Sequence, residues 1–254
     1  MYMSQNYIPE RAMFIFAHPD DIEFGVAGTA VKWARGGCEI TYVVITDGNV
    51  GTHDREMTRE QLAVIRRTEQ SAAAEVAGVH RCIYLGYDDG LLEPSLELRK
   101  QLVKLIRQHK PNVVVCGDPT AVLFGGRINH PDHRAAATAA IDAVFPASEM
   151  HLLYSEFEEE GITPHKVNYV YISTYTDPDF YVDISATIDT KLAALREHKS
   201  QLGDWDPEER IRQRGEQVGK NVGLKYAEGF RRVTLQAVVV EEEPVLETTV
   251  ATSE

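Results

Sequence analysis

A chain of 254 residues with 43% hydrophobic composition can bury one large core, which favours a single α/β domain over two small ones. Lys and Arg number 26 against 39 Asp and Glu, and the resulting charge of −13 repels nucleic acid and anionic membrane surfaces. Cys38, Cys82 and Cys116 are odd in number and widely spaced, the N-terminus lacks a signal-peptide pattern, and no stretch approaches a membrane span, so a cytoplasmic chain without disulfides, Cys-based zinc or membrane insertion is expected.

Short β-type runs alternate with helical patterns, the signature of βαβ units and a mainly parallel, doubly wound Rossmann-like sheet in a three-layer α/β/α arrangement. In chain order the spacing predicts a strand over Ala12 to Ala17, a helix over Gly25 to Arg35, a strand over Glu39 to Thr46 and a helix over Thr58 to Ala77. A strand over Cys82 to Leu85 and a helix over Pro94 to His109 follow, then a strand over Asn112 to Cys116 and a helix from Pro131 to Val144. Pro94 suits a first helical turn, and Leu96, Leu102, Val103 and Ile106 mark one apolar face.

The second half is less regular. Val167 to Ser173 and Tyr181 to Ile184 read as strands, Ser185 to Gln201 as a helix, and Asp206-Pro207-Glu208-Glu209 as the opening of a polar, Arg-rich surface or subunit-facing helix reaching Phe230. Val233 to Val240 reads as a late strand at a sheet edge. Residues 1–240 are expected to form one domain, with a metal-site core at 12–145 and an accessory part at 146–240, and the acidic tail 241–254 to be disordered.

Two polar clusters fall where an open α/β sheet places its ligands. His18-Pro19-Asp20-Asp21 follows the first strand, and His130-Pro131-Asp132-His133 follows the fourth through a Gly-rich loop; in a strand order 3-2-1-4 their tips flank the topological switch point. Alone, Pro-Asp-Asp is ordinarily a turn or cap and His-x-x-His a pair of surface residues. Brought together, two imidazoles and a carboxylate suit a hydrolytic zinc site that keeps one position for water, whereas harder ions use fewer histidines. Either aspartate of the pair can bind metal, leaving its neighbour to accept a proton from water.

The segments FAHPDDIEFGVAGTA and INHPDH, supported by VVITDGNVGT, IRRTEQSAAAEVAGV and YLGYDDGLL, resemble the PIG-L / LmbE-like family of zinc-dependent N-acetylglucosaminyl deacetylases over residues 12 to about 145. The resemblance implies that His18, Asp21 and His133 ligate Zn2+, with other divalent transition metals as alternatives. It implies Asp20 as general base, His130 as a charged or hydrogen-bonding oxyanion stabiliser, and Asp132 as a residue orienting one histidine. Arg66 and Asp89 would contact the sugar; the bland reading of Arg66 is an exposed helix arginine paired with Glu69 or Gln70. Ile22 before Glu23, and Ile128 where some relatives carry an aromatic, leave the conjugate open.

The implied reaction is removal of an N-acetyl group from an N-acetylglucosamine-type sugar by a homo-oligomer, trimer or hexamer. Alternatives are a thiol-sugar conjugate amidase on the same metal site and a non-catalytic sugar-binding protein on the same fold, which would not need Asp20. A phosphoryl-transfer enzyme is disfavoured, since the chain has no Walker motif and no Gly-x-Gly-x-x-Gly after the first strand. His53, His80, His109, His151 and His165 lack partners at ligand spacing. His198 reads as a helix-end residue, and Trp33 and Trp205 as packing or interface residues.

Overall fold

The computed structural model describes residues 7–124 and 126–237. Strands β1 (Arg11–Phe16), β2 (Glu39–Thr46), β3 (Arg81–Tyr87) and β4 (Val113–Cys116) pair in parallel in the order β3-β2-β1-β4. After a short hairpin of β5 (Leu123–Phe124) and β6 (Arg127–Ile128), the same sheet continues through β7 (Tyr169–Ser173), β9 (Ala227–Thr234) and β8 (Phe180–Asp183). β7 runs parallel to β4, and β9 lies antiparallel between β7 and β8.

Helices α1 (Asp21–Gly25) and α2 (Ala27–Arg35) follow β1, α3 (Arg59–Val76) follows β2, α4 (Leu96–His109) follows β3 and α5 (Pro131–Asp142) follows the hairpin. The second half adds α6 (Glu156–Glu159), α7 (Ile188–Leu195), α8 (Lys199–Leu202) and α9 (Glu208–Lys220). Successive strand side chains point to opposite faces, so the continuous apolar runs build two cores. Phe14, Tyr42, Val113 and Val115 pack with Trp33 of α2, Leu192 of α7 and Ile211 of α9. Met13, Ile15, Val43, Val114 and Cys116 pack with Leu98, Leu102 and Ile106 of α4 and the alanines of α5.

Local chemistry sets the helix starts. Thr58 and Gln61 form a reciprocal capping box ahead of α3. Ser95 accepts the Leu98 N–H, so α4 starts at Leu96, and Pro94 lies outside the first turn where it was expected. Leu96, expected on the apolar face, is exposed at this first turn, and Leu98 joins Leu102, Val103 and Ile106 in the core instead.

Three expectations for the second half are corrected. The helix from Ser185 is two short ones, α7 and α8. The helix opened by Glu208 stops at Lys220 rather than Phe230: Gly219 packs so closely that a Cβ there would lie 2.5 Å from the Leu224 carbonyl oxygen, and the chain reverses into β9. The last strand therefore starts at Ala227 and is interior, with β8 at that edge of the sheet. The remainder of its expected span, Val238 to Val240, and the tail from Glu241 lie outside the described residues.

A buried ion pair ties this second half to the first. The Glu228 carboxylate accepts from Gly28 N (2.9 Å), Thr29 N (2.8 Å) and Thr29 Oγ1 (2.6 Å) in the first turn of α2. Lys191 Nζ donates to Glu228 Oε1 (2.6 Å) and to the Gly25 carbonyl (2.9 Å).

Candidate active site

The chain leaves β1 at its C-terminal end, beside β4, where the strand order reverses direction. There Asp20 adopts a left-handed backbone (φ 98°) unusual for a residue with a side chain, at a cost on the order of 1–3 kcal/mol. Its N–H donates to Gln70 Oε1 (2.9 Å), and its Oδ2 accepts from Arg66 Nη2 (2.8 Å). Burial pushes the Asp20 carboxyl up to about 6, against the opposing pull of Arg66.

Arg66 is buried, not exposed, and donates also to the carbonyls of Gly48 (3.0 Å) and Pro19 (2.5 Å). Gly48 makes this possible, because a Cβ on its left-handed backbone would sit 2.1 Å from Arg66 Nη1.

Asp21 faces the other way. Its Oδ2 accepts the His18 N–H (2.9 Å), and its Oδ1 lies 3.0 Å from His133 Nε2. Burial alone would raise the Asp21 carboxyl; His133 and His18 overcome it and hold the group well below the usual carboxylate range.

His18 presents Nε2 to Asp89 Oδ1 (3.0 Å) and Asp132 Oδ2 (3.4 Å). That assigns its proton to Nε2 and leaves a lone pair on Nδ1. His133 presents Nδ1 to Asn129 Oδ1 (2.9 Å), which assigns the proton there and leaves the lone pair on Nε2. The two lone-pair nitrogens lie 3.2 Å apart, each beside an Asp21 oxygen. Two lone pairs and a carboxylate aimed at one point repel unless a cation sits among them, so the set fits a divalent metal.

A second overlapping set, His18, Asp89, His130 and Asp132, is also close enough to hold an ion. In it, however, Asp132 already accepts Gly90 N (2.7 Å) and Leu92 N (3.3 Å), and both carboxylates are turned onto the protonated side of His18. Asp132 thus lies where a residue orienting a histidine belongs. Asp89, expected to face the sugar, is turned onto His18 as well.

His130 belongs to the second set and borders the first, with its ring centroid 4.7 Å from that of His18. Its Nδ1 accepts the Asp132 N–H (3.3 Å), leaving Nε2 as the donor. Burial, with His18 beside it, lowers its pKa, which favours the neutral, hydrogen-bonding form.

The sequence reading missed the support beneath Asp20. Gln70 Nε2 donates to both oxygens of Glu23 (3.1 and 3.2 Å), and His198 Nε2 lies 3.2 Å from Glu23 Oε2, all three residues being fully buried. His198 is therefore a core partner of Glu23 as well as a helix-end residue.

These groups open into a cavity of about 500 Å3, within the range of ligand pockets. Its other wall carries Tyr175, Trp205, Arg210 and Arg214, with Arg127 from the hairpin. Trp33 is a packing residue, against Phe14 and Tyr171, but Trp205 stacks on Phe24 in the cavity wall.

The family model described as PIG-L: GlcNAc-PI de-N-acetylase matches residues 13–144. Diacetylchitobiose deacetylase of Thermococcus kodakarensis is 34% identical over 229 residues, covering 88% of this chain and 83% of that protein. The solved N,N'-diacetylchitobiose deacetylase of Pyrococcus horikoshii, in complex with an inhibitor, superposes with a TM-score of 0.83 at 33% identity, covering 89% and 84% of the two chains. The 4-carboxy-2-hydroxymuconate hydratase GalB of Pseudomonas putida superposes with a TM-score of 0.74 at 24% identity, covering 92% and 99%, and shares the fold alone.

Proposed function

This chain belongs to the PIG-L family, and from that premise we propose that it hydrolyses the N-acetyl group of an N-acetylglucosamine-type amino sugar or its conjugate. The observation that carries the reading is the division of labour between adjacent aspartates: Asp21 faces two imidazole lone pairs, while Asp20 faces Arg66. A binding protein has no use for Asp20 in a strained backbone beside that cluster.

His18, Asp21 and His133 would hold the metal, zinc in this reading, which supplies Lewis acidity toward the amide carbonyl and the attacking water. Asp20 Oδ2 is held by Arg66, so Oδ1 takes the proton from water as it attacks. His130 Nε2–H donates to the oxygen that becomes negative on the acetyl carbon, a contribution of about 3–4 kcal/mol at the transition state. Asp20 then passes its proton to the departing amine. Arg66 fixes Asp20, and among the described residues its Nε has no hydrogen-bond partner.

The test is amine release from a panel of N-acetylated sugars and thiol-sugar conjugates, with metal content, a chelator and Asp20→Asn as controls. Release from thiol conjugates but not from N-acetyl sugars would replace the deacetylase reading by the amidase one. We place the protein in the cytoplasm, supported by three unpaired cysteines and by the absence, among the described residues, of a helix long and apolar enough to cross a membrane. A homo-oligomer is supported by exposed Phe145, Met150, Leu152 and Leu153 near one another in sequence, and sedimentation velocity tests it.

A further inference from the structure

The reaction as drawn leaves one wall of the cavity unused. Arg210 and Arg214 stand one turn apart on α9 and line the cavity together with Arg127. The Arg214 guanidinium stacks 3.9 Å from the Tyr175 ring centroid and donates to its hydroxyl (2.9 Å); that of Arg210 lies 5.8 Å from the Trp205 ring. Among the described residues, no carboxylate pairs with any of the three.

Neighbouring arginines are treated differently. Arg212, between them on the same helix, pairs with Asp189 (2.6 Å) and Glu208 (2.8 Å), and Arg196 pairs with Asp206 (3.0 Å) and Glu208 (2.7 Å). Like charges one turn apart repel, and a chain with 39 acidic residues has no shortage of carboxylates to place there. Burial, with Arg214 and Arg127 beside it, already holds Arg210 below the ordinary guanidinium value. Arg127 and Arg210 remain exposed and Arg214 half-buried, so water screens part of this repulsion, and an anion entering the cavity would relieve the rest.

We propose that this wall is the aglycone subsite and binds an anionic group, a carboxylate or phosphate carried by the substrate's aglycone, through Arg127, Arg210 and Arg214. The inference rests on the deacetylase reading and deepens it. Guanidinium forks match the planar and tetrahedral oxyanions, while Tyr175 and Trp205 offer ring faces for a sugar to pack on.

Kinetics of the metal-loaded enzyme on three N-acetylglucosaminides test it: a neutral methyl glycoside, a hydroxy-acid glycoside and a phosphodiester glycoside. At least one anionic substrate should exceed the neutral one by about tenfold or more in kcat/KM, through KM, and which one does so identifies the anion. In R210Q/R214Q the anionic-to-neutral ratio should fall to about one, whereas R212Q should keep it. A neutral glycoside turned over as well as both anionic ones, or a ratio that survives R210Q/R214Q, would overturn the proposal while the deacetylase reading stands. If no N-acetyl sugar releases amine, the deacetylase reading itself fails. Calorimetric binding of inorganic phosphate then decides the arginine wall: binding to wild type and not to R210Q/R214Q supports it, and equal binding or none sinks it.

Discussion

On one wall of the cavity every reactive side chain is held from behind: His18 by Asp89 and Asp132, His133 by Asn129, Asp20 by Arg66 and Gln70. On the other wall Arg127, Arg210 and Arg214 line the cavity without a carboxylate partner among the described residues, Arg210 and Arg214 beside aromatic rings and Arg214 hydrogen-bonded to the Tyr175 hydroxyl. The first wall grows from the ends of parallel strands and the N-terminus of α5; the second grows from α9 and a two-strand hairpin. The contrast teaches that reacting groups are fixed where the backbone is most constrained, while contacts with the variable part of a substrate sit on peripheral elements.

Removing the reacting group tests the first wall most severely. Asp20→Asn keeps shape and hydrogen bonds but not the base, so kcat should fall about 10^2–10^4-fold, read by amine release. The anchor that joins the walls comes next. Lys191→Met leaves the Glu228 carboxylate buried without its cation, and urea denaturation should show a loss of about 3–5 kcal/mol. A smaller loss would mean that α7 and β9 hold the second wall without it.

Asp132→Asn should weaken metal binding by about 10–100-fold, measured by competition with a chromogenic chelator, because one partner orienting His18 is altered. An unchanged affinity would assign that task to Asp89 alone.

The smallest effect is expected far from both walls, at His165, whose Nε2 donates to the Pro111 carbonyl (2.8 Å) and whose pKa burial lowers from 6.5. The folded state holds this imidazole neutral, so its share of stability is present above 6.5 and is lost as pH falls through the depressed value. His165→Gln should flatten the acid side of a Tm-against-pH profile. An unchanged slope would place the acid sensitivity elsewhere.

The first four strands and both His-Pro-Asp signatures were legible because each is a local pattern: an apolar run, then polar residues at its end. Glu23, Gln70 and His198 were not, since they meet across separations of 47 and 175 residues and each alone reads as an ordinary polar helix residue. Arg66 followed the same logic, its burial depending on the missing side chain of Gly48. The second half misled because the Arg-rich stretch after Glu208 continues a helical pattern in composition, while the close approach of Gly219 to Leu224, which ends the helix, depends on packing. The same composition hid the unpaired, cavity-lining Arg210 and Arg214 among the paired arginines of that stretch.

In the proposed mechanism Asp21 serves the metal and Asp20 the proton. Metal content and amine release measured together on wild type, Asp20→Asn and Asp21→Asn test it most directly. About one bound divalent metal per chain is expected in wild type and in Asp20→Asn, with turnover only in the former, and loss of both metal and turnover in Asp21→Asn. A metal-free, fully active wild type, or an Asp20→Asn protein that still releases amine at the wild-type rate, would contradict it.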